Sequence, residues 1–374
     1  MIYLDYAATT PLDPEVKARM LEALEVWGNP SSVHAVGRKA KALLEEARER
    51  LAAALGAHPR ELVFTSGGTE ADALALMGTM LARGRGHLVV TAVEHSAVLG
   101  AAHWLEQRGF AVTRLEPDRY GLIHPEQVAE ALRGDTVLVS VMTLNNELGT
   151  LYPVREIAAL CRERGVVFHT DAVQAFGTIP FRVDEVGADL VSISAHKFYG
   201  PKGAGALYVR RGLELTPLIP GKQEKGWRGG TENLAGVVGM AYAAEQAVAR
   251  LPEEQPRMTA LRERLERGLL AVEGVELNGH PTQRGPKHVN VTVLEADGEG
   301  LLLNLDLLGV AASSGSACSA GSLEPSHVLM AIGRTRAEAR ASVRFSVGRY
   351  TTEAEVDRAV ACFREAVARA RALV

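Results

Sequence analysis

The chain has 374 residues, 47% hydrophobic and 23% charged, an ordinary globular composition that excludes wholesale disorder and leaves room for two domains. A count of 41 basic against 45 acidic residues gives a net charge of −4, without the basic surplus that nucleic-acid binding draws on. No basic segment followed by an apolar run opens the chain, and the longest apolar stretch, 301–312, is broken by Asn304 and Asp306 far short of the ~20 residues of a membrane span.

In chain order, Asp13 as N-cap and Pro14 at the first helical position predict a helix over 13–26. A second helix is expected over 35–55, stopped by Gly56. Short apolar runs then recur at 62–65, 87–92, 111–115, 136–143, 166–170, 190–194 and 204–209. Helical stretches separate several of them, at 71–82, 98–107 and 157–164. Alternation of this kind, with near-continuous apolar strands, predicts an α/β fold with a mostly parallel sheet covered on both faces. The polar, proline-rich segment 251–256 reads as a boundary. Beyond it a smaller α+β unit is expected, with helices at 258–270 and 300–308, strands at 275–277, 288–293 and 342–346, and a last helix from Thr352. Arg334, Arg336 and Arg340 sit among Glu and Ala on helical spacing and read as a solvated face.

The chain has no P-loop, no G-x-S-x-G elbow, no H-E-x-x-H pair and no G-x-G-x-x-G fingerprint, so no metal site is expected. Four other constellations carry chemistry. Thr65-Ser-Gly-Gly-Thr-Glu70 joins an expected strand to an expected helix, where glycines and a helix start suit a phosphate. Asp171 and Gln174 follow the strand at 166–170, at the carboxyl edge where open α/β sheets bind ligands. Lys197 follows the next strand, behind Ser194 and His196, and a lysine there can form a Schiff base with an aldehyde. Cys318 lies in Ser313-Ser-Gly-Ser-Ala-Cys-Ser-Ala-Gly-Ser322, whose small residues suit a thiol that must move and react. Taken singly these are a turn, an N-cap, a surface lysine and a loop. Together, a phosphate loop, a carboxylate for a ring nitrogen and a Schiff-base lysine match what pyridoxal phosphate chemistry requires. Cys161 and Cys362 fall on apolar helix faces and read as packing residues. With no C-x-x-C and three widely spaced cysteines, a reducing cytoplasm is the expected location.

These motifs resemble the pyridoxal-phosphate-dependent cysteine desulfurases of the NifS/IscS-like class. Further matches are Tyr3-Leu-Asp-Tyr-Ala-Ala-Thr-Thr-Pro11, Glu94-His-Ser-Ala-Val98, Asn145-Asn-Glu147, Arg228-Gly-Gly-Thr-Glu-Asn233 and Arg344-Phe-Ser346, all in family order. The resemblance implies a fold-type-I, aspartate aminotransferase-like architecture. Residues 14–254 would form the large cofactor-binding domain, and 1–13 with 255–374 a small domain carrying the cysteine loop. It also implies a homodimer with the active site at the subunit interface. Lys197 would hold pyridoxal 5'-phosphate, Asp171 pair with its ring nitrogen, Gln174 contact its ring hydroxyl and His95 stack on the ring. Thr69, Ser194, His196 and the backbone of Gly68 would hold the phosphate, with Thr231 reaching it from the other subunit. Asn146 and Arg344 would bind the carboxylate of L-cysteine, and Cys318 would take its sulfur as a persulfide, leaving L-alanine. The sulfur would pass to an acceptor such as an iron–sulfur scaffold protein. A selenocysteine lyase or an aminotransferase on the same fold is the alternative. No nucleic-acid or membrane partner is expected.

Overall fold

The computed structural model describes residues 1–314 and 324–372, so Cys318 lies outside the described residues. A two-residue strand, β1 (Ile2–Tyr3), precedes the seven strands of the main sheet. These are β2 (Leu62–Thr65), β3 (His87–Thr91), β4 (Ala111–Leu115), β5 (Thr136–Ser140), β6 (Val167–Asp171), β7 (Leu190–Ser194) and β8 (Gly205–Val209). Their spatial order is β2-β8-β7-β6-β5-β3-β4, and only β8 runs against its neighbours. Every residue of β3, β6, β7 and β8 is buried, because helices cover both faces of the sheet. Four later strands follow among the described residues: β9 (Val275–Asn278), β10 (His288–Val293), β11 (Val310–Ala311) and β12 (Ser342–Ser346). β9, β10 and β12 form an antiparallel sheet in the order β12-β10-β9, and β1 pairs with β11 in parallel.

Apolar side chains gather in separate cores. Phe168, Phe176 and Val139 belong to one face of the main sheet, and Leu88, Val90 and Leu207 to the other. A further core joins Ile2 and Leu4 to Leu265, Val291, Phe345 and Phe363. The N-terminal residues are thus packed with the last third of the chain. A bridge between Asp5 and Ser346 continues that contact toward the main sheet.

The expected break at 251–256 is absent. One helix runs from Leu234 to Leu270 straight through Pro252 and Pro256. Each proline removes a backbone donor and strands the carbonyl four residues back, on Val248 and Pro252. The two prolines are four residues apart, hence on one face, and both are exposed, as is Val248, so water can satisfy those carbonyls. The opposite face stays anchored. Val237, Met240 and Ala244 pack in the first core, and Leu261, Leu265 and Leu269 in the last. The helix expected at 71–82 is Gly68–Ala73 continued by a π-turn, Leu74–Gly78, and a last turn, Thr79–Arg83. Short helices at Pro125–Ala131, Val183–Val186, His327–Ala331 and Arg336–Arg340 are too brief for apolar periodicity to reveal. Among the described residues no helix is long and apolar enough to cross a membrane.

Candidate active site

A cavity of about 360 Å³ opens beyond the carboxyl ends of β6 and β7. Its walls come from places distant in sequence: the start of the helix at Gly68, His95 and Ser96, the 142–147 turn, the β6 and β7 ends, His327, and Arg344 on β12. The N-terminal segment contributes Ala7 and Ala8.

Lys197 stands on a single 3-10 turn, Ala195–Lys197, directly after β7. The turn is closed by a bond from the Ala195 amide to the Ala204 carbonyl at 3.0 Å and by Tyr199, whose φ of 66° reverses the chain. Its Nζ donates to the carbonyls of Ala7 at 2.7 Å and Ala8 at 2.8 Å. Gln174 Nε2 donates to the same Ala7 carbonyl at 2.8 Å, which leaves Gln174 Oε1 buried with no partner. His196 Nδ1 lies 3.0 Å from Thr9 Oγ1, and burial with nearby Lys197, Lys202 and Lys287 pushes its pKa down to about 4. Its imidazole is therefore neutral at pH 7 and free to offer one N–H.

Asp171 ends β6, buried, and its Oδ1 accepts the Val173 amide at 2.8 Å. Burial raises its pKa, while His95, the Val173 amide, Asp72 and Lys197 each pull the other way. His95 caps the helix Ser96–Glu106, accepting the Ala97 amide on Nδ1 at 3.1 Å. Beside it Glu94 is fully buried, and that burial raises its carboxyl to about 8 although Thr91 and Met142 both donate to Oε1.

The strand expected over 136–143 ends at Ser140. The turn beyond it is built by Asn145, whose Oδ1 accepts the amides of Glu147 and Leu148 at 2.9 Å each. This Asx geometry turns Asn146 into the cavity, with its Oδ1 unpartnered. Arg344 donates to the Asn146 carbonyl at 2.8 Å and to Asp5 Oδ1 at 3.0 Å, and its Nε has no partner. Lys287 is fully buried nearby, and burial with Lys197 and Arg344 pushes its amine down to about 7.

Lys287 yields a pH prediction. Between pH 7 and about 10 the unfolded chain binds a proton at this lysine that the folded chain does not, so stability rises with pH there. In cofactor-free protein, Lys287→Met should be more stable than the parent at pH 7, with the gap closing toward pH 10. Denaturant midpoints across that range check it, and a gap independent of pH would reject it.

The start of the helix Gly68–Ala73 carries no side-chain cap. Its loop packs against β8 so closely that a Cβ on Gly205 would lie 2.6 Å from Gly67 backbone, so glycine is required there. Glu70 braces the loop by accepting the Ser66 amide at 2.7 Å and Arg228 Nε at 2.8 Å.

Of the residues singled out from sequence, Gly68, Thr69, His95, Asn146, Asp171 and Gln174 line this one cavity. So do Ser194, His196, Lys197 and Arg344. Thr231 does not; it is exposed, beyond Arg228. Cys318 is outside the described residues. Sequence reasoning missed Asp72 and His327, which also line the cavity. Asp72 stands one helical turn after Thr69, so its spacing was the available signal. His327 had none, because its helix is five residues long.

A family model described as aminotransferase class-V matches residues 2–359. The cysteine desulfurase IscS of Dictyoglomus turgidum is 49% identical over 362 residues, covering 95% of this chain and 92% of the relative. The cysteine desulfurase IscS of Methanosarcina thermophila is 46% identical, covering 99% of this chain and 93% of its own. Among solved structures, a NifS-like protein superposes with a TM-score of 0.91 at 36% identity, over 97% of this chain and 98% of that one. SspA in complex with cysteine superposes with a TM-score of 0.83 at 39% identity, over 94% and 100%.

Proposed function

The chain belongs to the aminotransferase class-V family and is a cysteine desulfurase, and from that premise we propose that the cavity holds pyridoxal 5'-phosphate and L-cysteine and delivers the substrate's sulfur to Cys318. The observation that carries the reading is one cavity containing an amine, a buried carboxylate and a guanidinium with unspent donors.

The residues present fit the cofactor. The uncapped helix start at Gly68 and the side chains of Thr69, Ser194 and His196 suit a phosphate. A Cβ on residue 68 would lie 2.9 Å from Val173 Cγ2, so any larger residue here would have to push that side chain aside. Gln174 Oε1 is an orphaned acceptor for the ring hydroxyl, and Asp171 a carboxylate for the ring nitrogen. When bound, the cofactor supplies an electron sink for the carbon that loses a proton.

The chain's own groups do the rest. Arg344, through the donors it does not spend on the Asn146 carbonyl and Asp5, and Asn146, through its side-chain N–H, hold the substrate carboxylate. Lys197 Nζ, once released, takes the proton from the substrate's Cα. His95 and Lys197 help keep Asp171 ionised against its burial. The Cys318 thiolate attacks the substrate sulfur. An S–S bond forms, the Cβ–S bond breaks with its electron pair left on the substrate, and a proton completes alanine.

Residues 14–254 act as the large domain, and 1–13 with 255–374 as the small one. The protein works as a homodimer in the cytoplasm, with exposed Thr231 serving the phosphate of the other subunit. The persulfide sulfur goes on to an acceptor protein, of which an iron–sulfur scaffold is the leading class.

Anaerobic incubation with L-cysteine tests the reading. Alanine should appear together with a peptide bearing one added sulfur at Cys318. No alanine from cofactor-loaded protein would reject it and point to amino-group transfer to a keto acid. Arg344→Lys keeps the charge but loses the fork, and should raise KM for cysteine by about tenfold to a hundredfold with a smaller change in kcat. An unchanged KM would remove Arg344 from the substrate site.

A further inference from the structure

Asp72 and Asp171 both line the cavity and are buried, and the buried carboxyl of Glu94 lies close enough for its charge to act on both. Asp72 comes from the helix that opens at Gly68, and Asp171 from the end of β6. Asp171 pairs in register with Ser192 on β7, and His169 lies two residues earlier on the same face of β6. Asp72 packs against the Ser192 hydroxyl and the Asp171 carboxyl. Its Oδ1 lies 3.5 Å from His169 Nε2 and has no hydrogen-bond partner.

His169 is no counter-ion for it. Burial lowers that imidazole to about 3, and its ring nitrogens already face Ser140 Oγ at 2.8 Å and Ser192 Oγ at 2.9 Å. Two carboxyls in contact in a dry site cannot both ionise. The cationic help is one-sided, since His95, Lys197 and the Val173 amide all favour charge on Asp171. Among the main influences on Asp72 the Ser192 hydroxyl alone favours its charge, and both Asp171 and Glu94 oppose it.

We propose that Asp72 is a positioning residue that keeps a proton and donates it in a hydrogen bond to Asp171, so that Asp171 meets the cofactor's ring nitrogen as one aimed anion. The inference rests on the cofactor reading above. It gives the site a neutral carboxylic acid as a structural donor behind the working carboxylate.

Asp72→Asn keeps a neutral donor of the same shape, whereas Asp72→Leu removes it. The absorbance of bound pyridoxal 5'-phosphate, titrated with pH, should be the same in the parent and Asp72→Asn. In Asp72→Leu its midpoint should move by about one unit, with affinity for pyridoxal 5'-phosphate about tenfold weaker. In cofactor-free protein at pH 7, the infrared difference between parent and Asp72→Asn should show loss of a protonated carboxyl. An ionised carboxylate in that difference, or an Asn variant displaced as far as the Leu variant, would overturn the proposal. A parent that takes up no pyridoxal 5'-phosphate would defeat the cofactor reading instead, and the infrared difference would still decide the state of Asp72.

Discussion

Lys197→Ala should leave a folded protein that can no longer be fixed to pyridoxal 5'-phosphate by borohydride. Exchange of the substrate's Cα proton with solvent should fall by about 10²–10⁴-fold. The fold is expected to survive because the turn that carries Lys197 is closed by backbone groups. The Ala195–Ala204 bond and the reversed backbone at Tyr199 do not use the side chain. Two carbonyls, on Ala7 and Ala8, lose the amine, but Ala7 keeps its bond from Gln174. Lys197→Arg should not rescue, since a guanidinium stays protonated and cannot serve as base or nucleophile. The informative failure is specific. Lys287 is a second buried lysine in this region with an amine lowered to about 7. It points to Thr178 at 3.4 Å and does not line the cavity. A borohydride-stable linkage that persists in Lys197→Ala, mapped by mass to Lys287, would move the chemistry there.

The residues of the site were legible in the sequence where a local pattern and a chemical type coincide. Lys197, Asp171 and the Gly68 loop each end or follow an apolar strand, and strand ends are readable from hydropathy alone. What was not legible is what converges. Ala7 and Ala8 hold Lys197 through main-chain carbonyls, which no residue type announces. Asp72 looks like any acidic residue on a short helix until β6 and β7 are laid beneath it. The continuous helix through Pro252 and Pro256 was misread for a related reason. Proline marks a break only if the carbonyls it strands are buried, and here they face water. Local composition cannot report which face of a helix the solvent meets.

Cys318→Ala should cut alanine formation on the order of 10³-fold or more while the protein still binds pyridoxal 5'-phosphate, because only the sulfur-accepting step is removed. The other two thiols are poor substitutes. Cys161 is fully buried, its thiol raised to about 12 by that burial, which leaves almost no thiolate at neutral pH. Cys362 sits in the last helix with Sγ 3.7 Å from the Leu308 carbonyl, packed against the core around Phe363. Neither lines the cavity. The described chain on either side of Cys318 is tied to the site itself. Ser313 exchanges backbone bonds with Arg344 at 2.7 and 3.1 Å. On the far side Ser326 donates to Glu147, and His327 reaches the Glu94 carbonyl at 2.9 Å. Quantified alanine and the mass of the Cys318 peptide, parent beside variant, decide the matter. Alanine released by the variant at the parent's rate would mean that sulfur leaves without this thiol, and the protein would be a lyase.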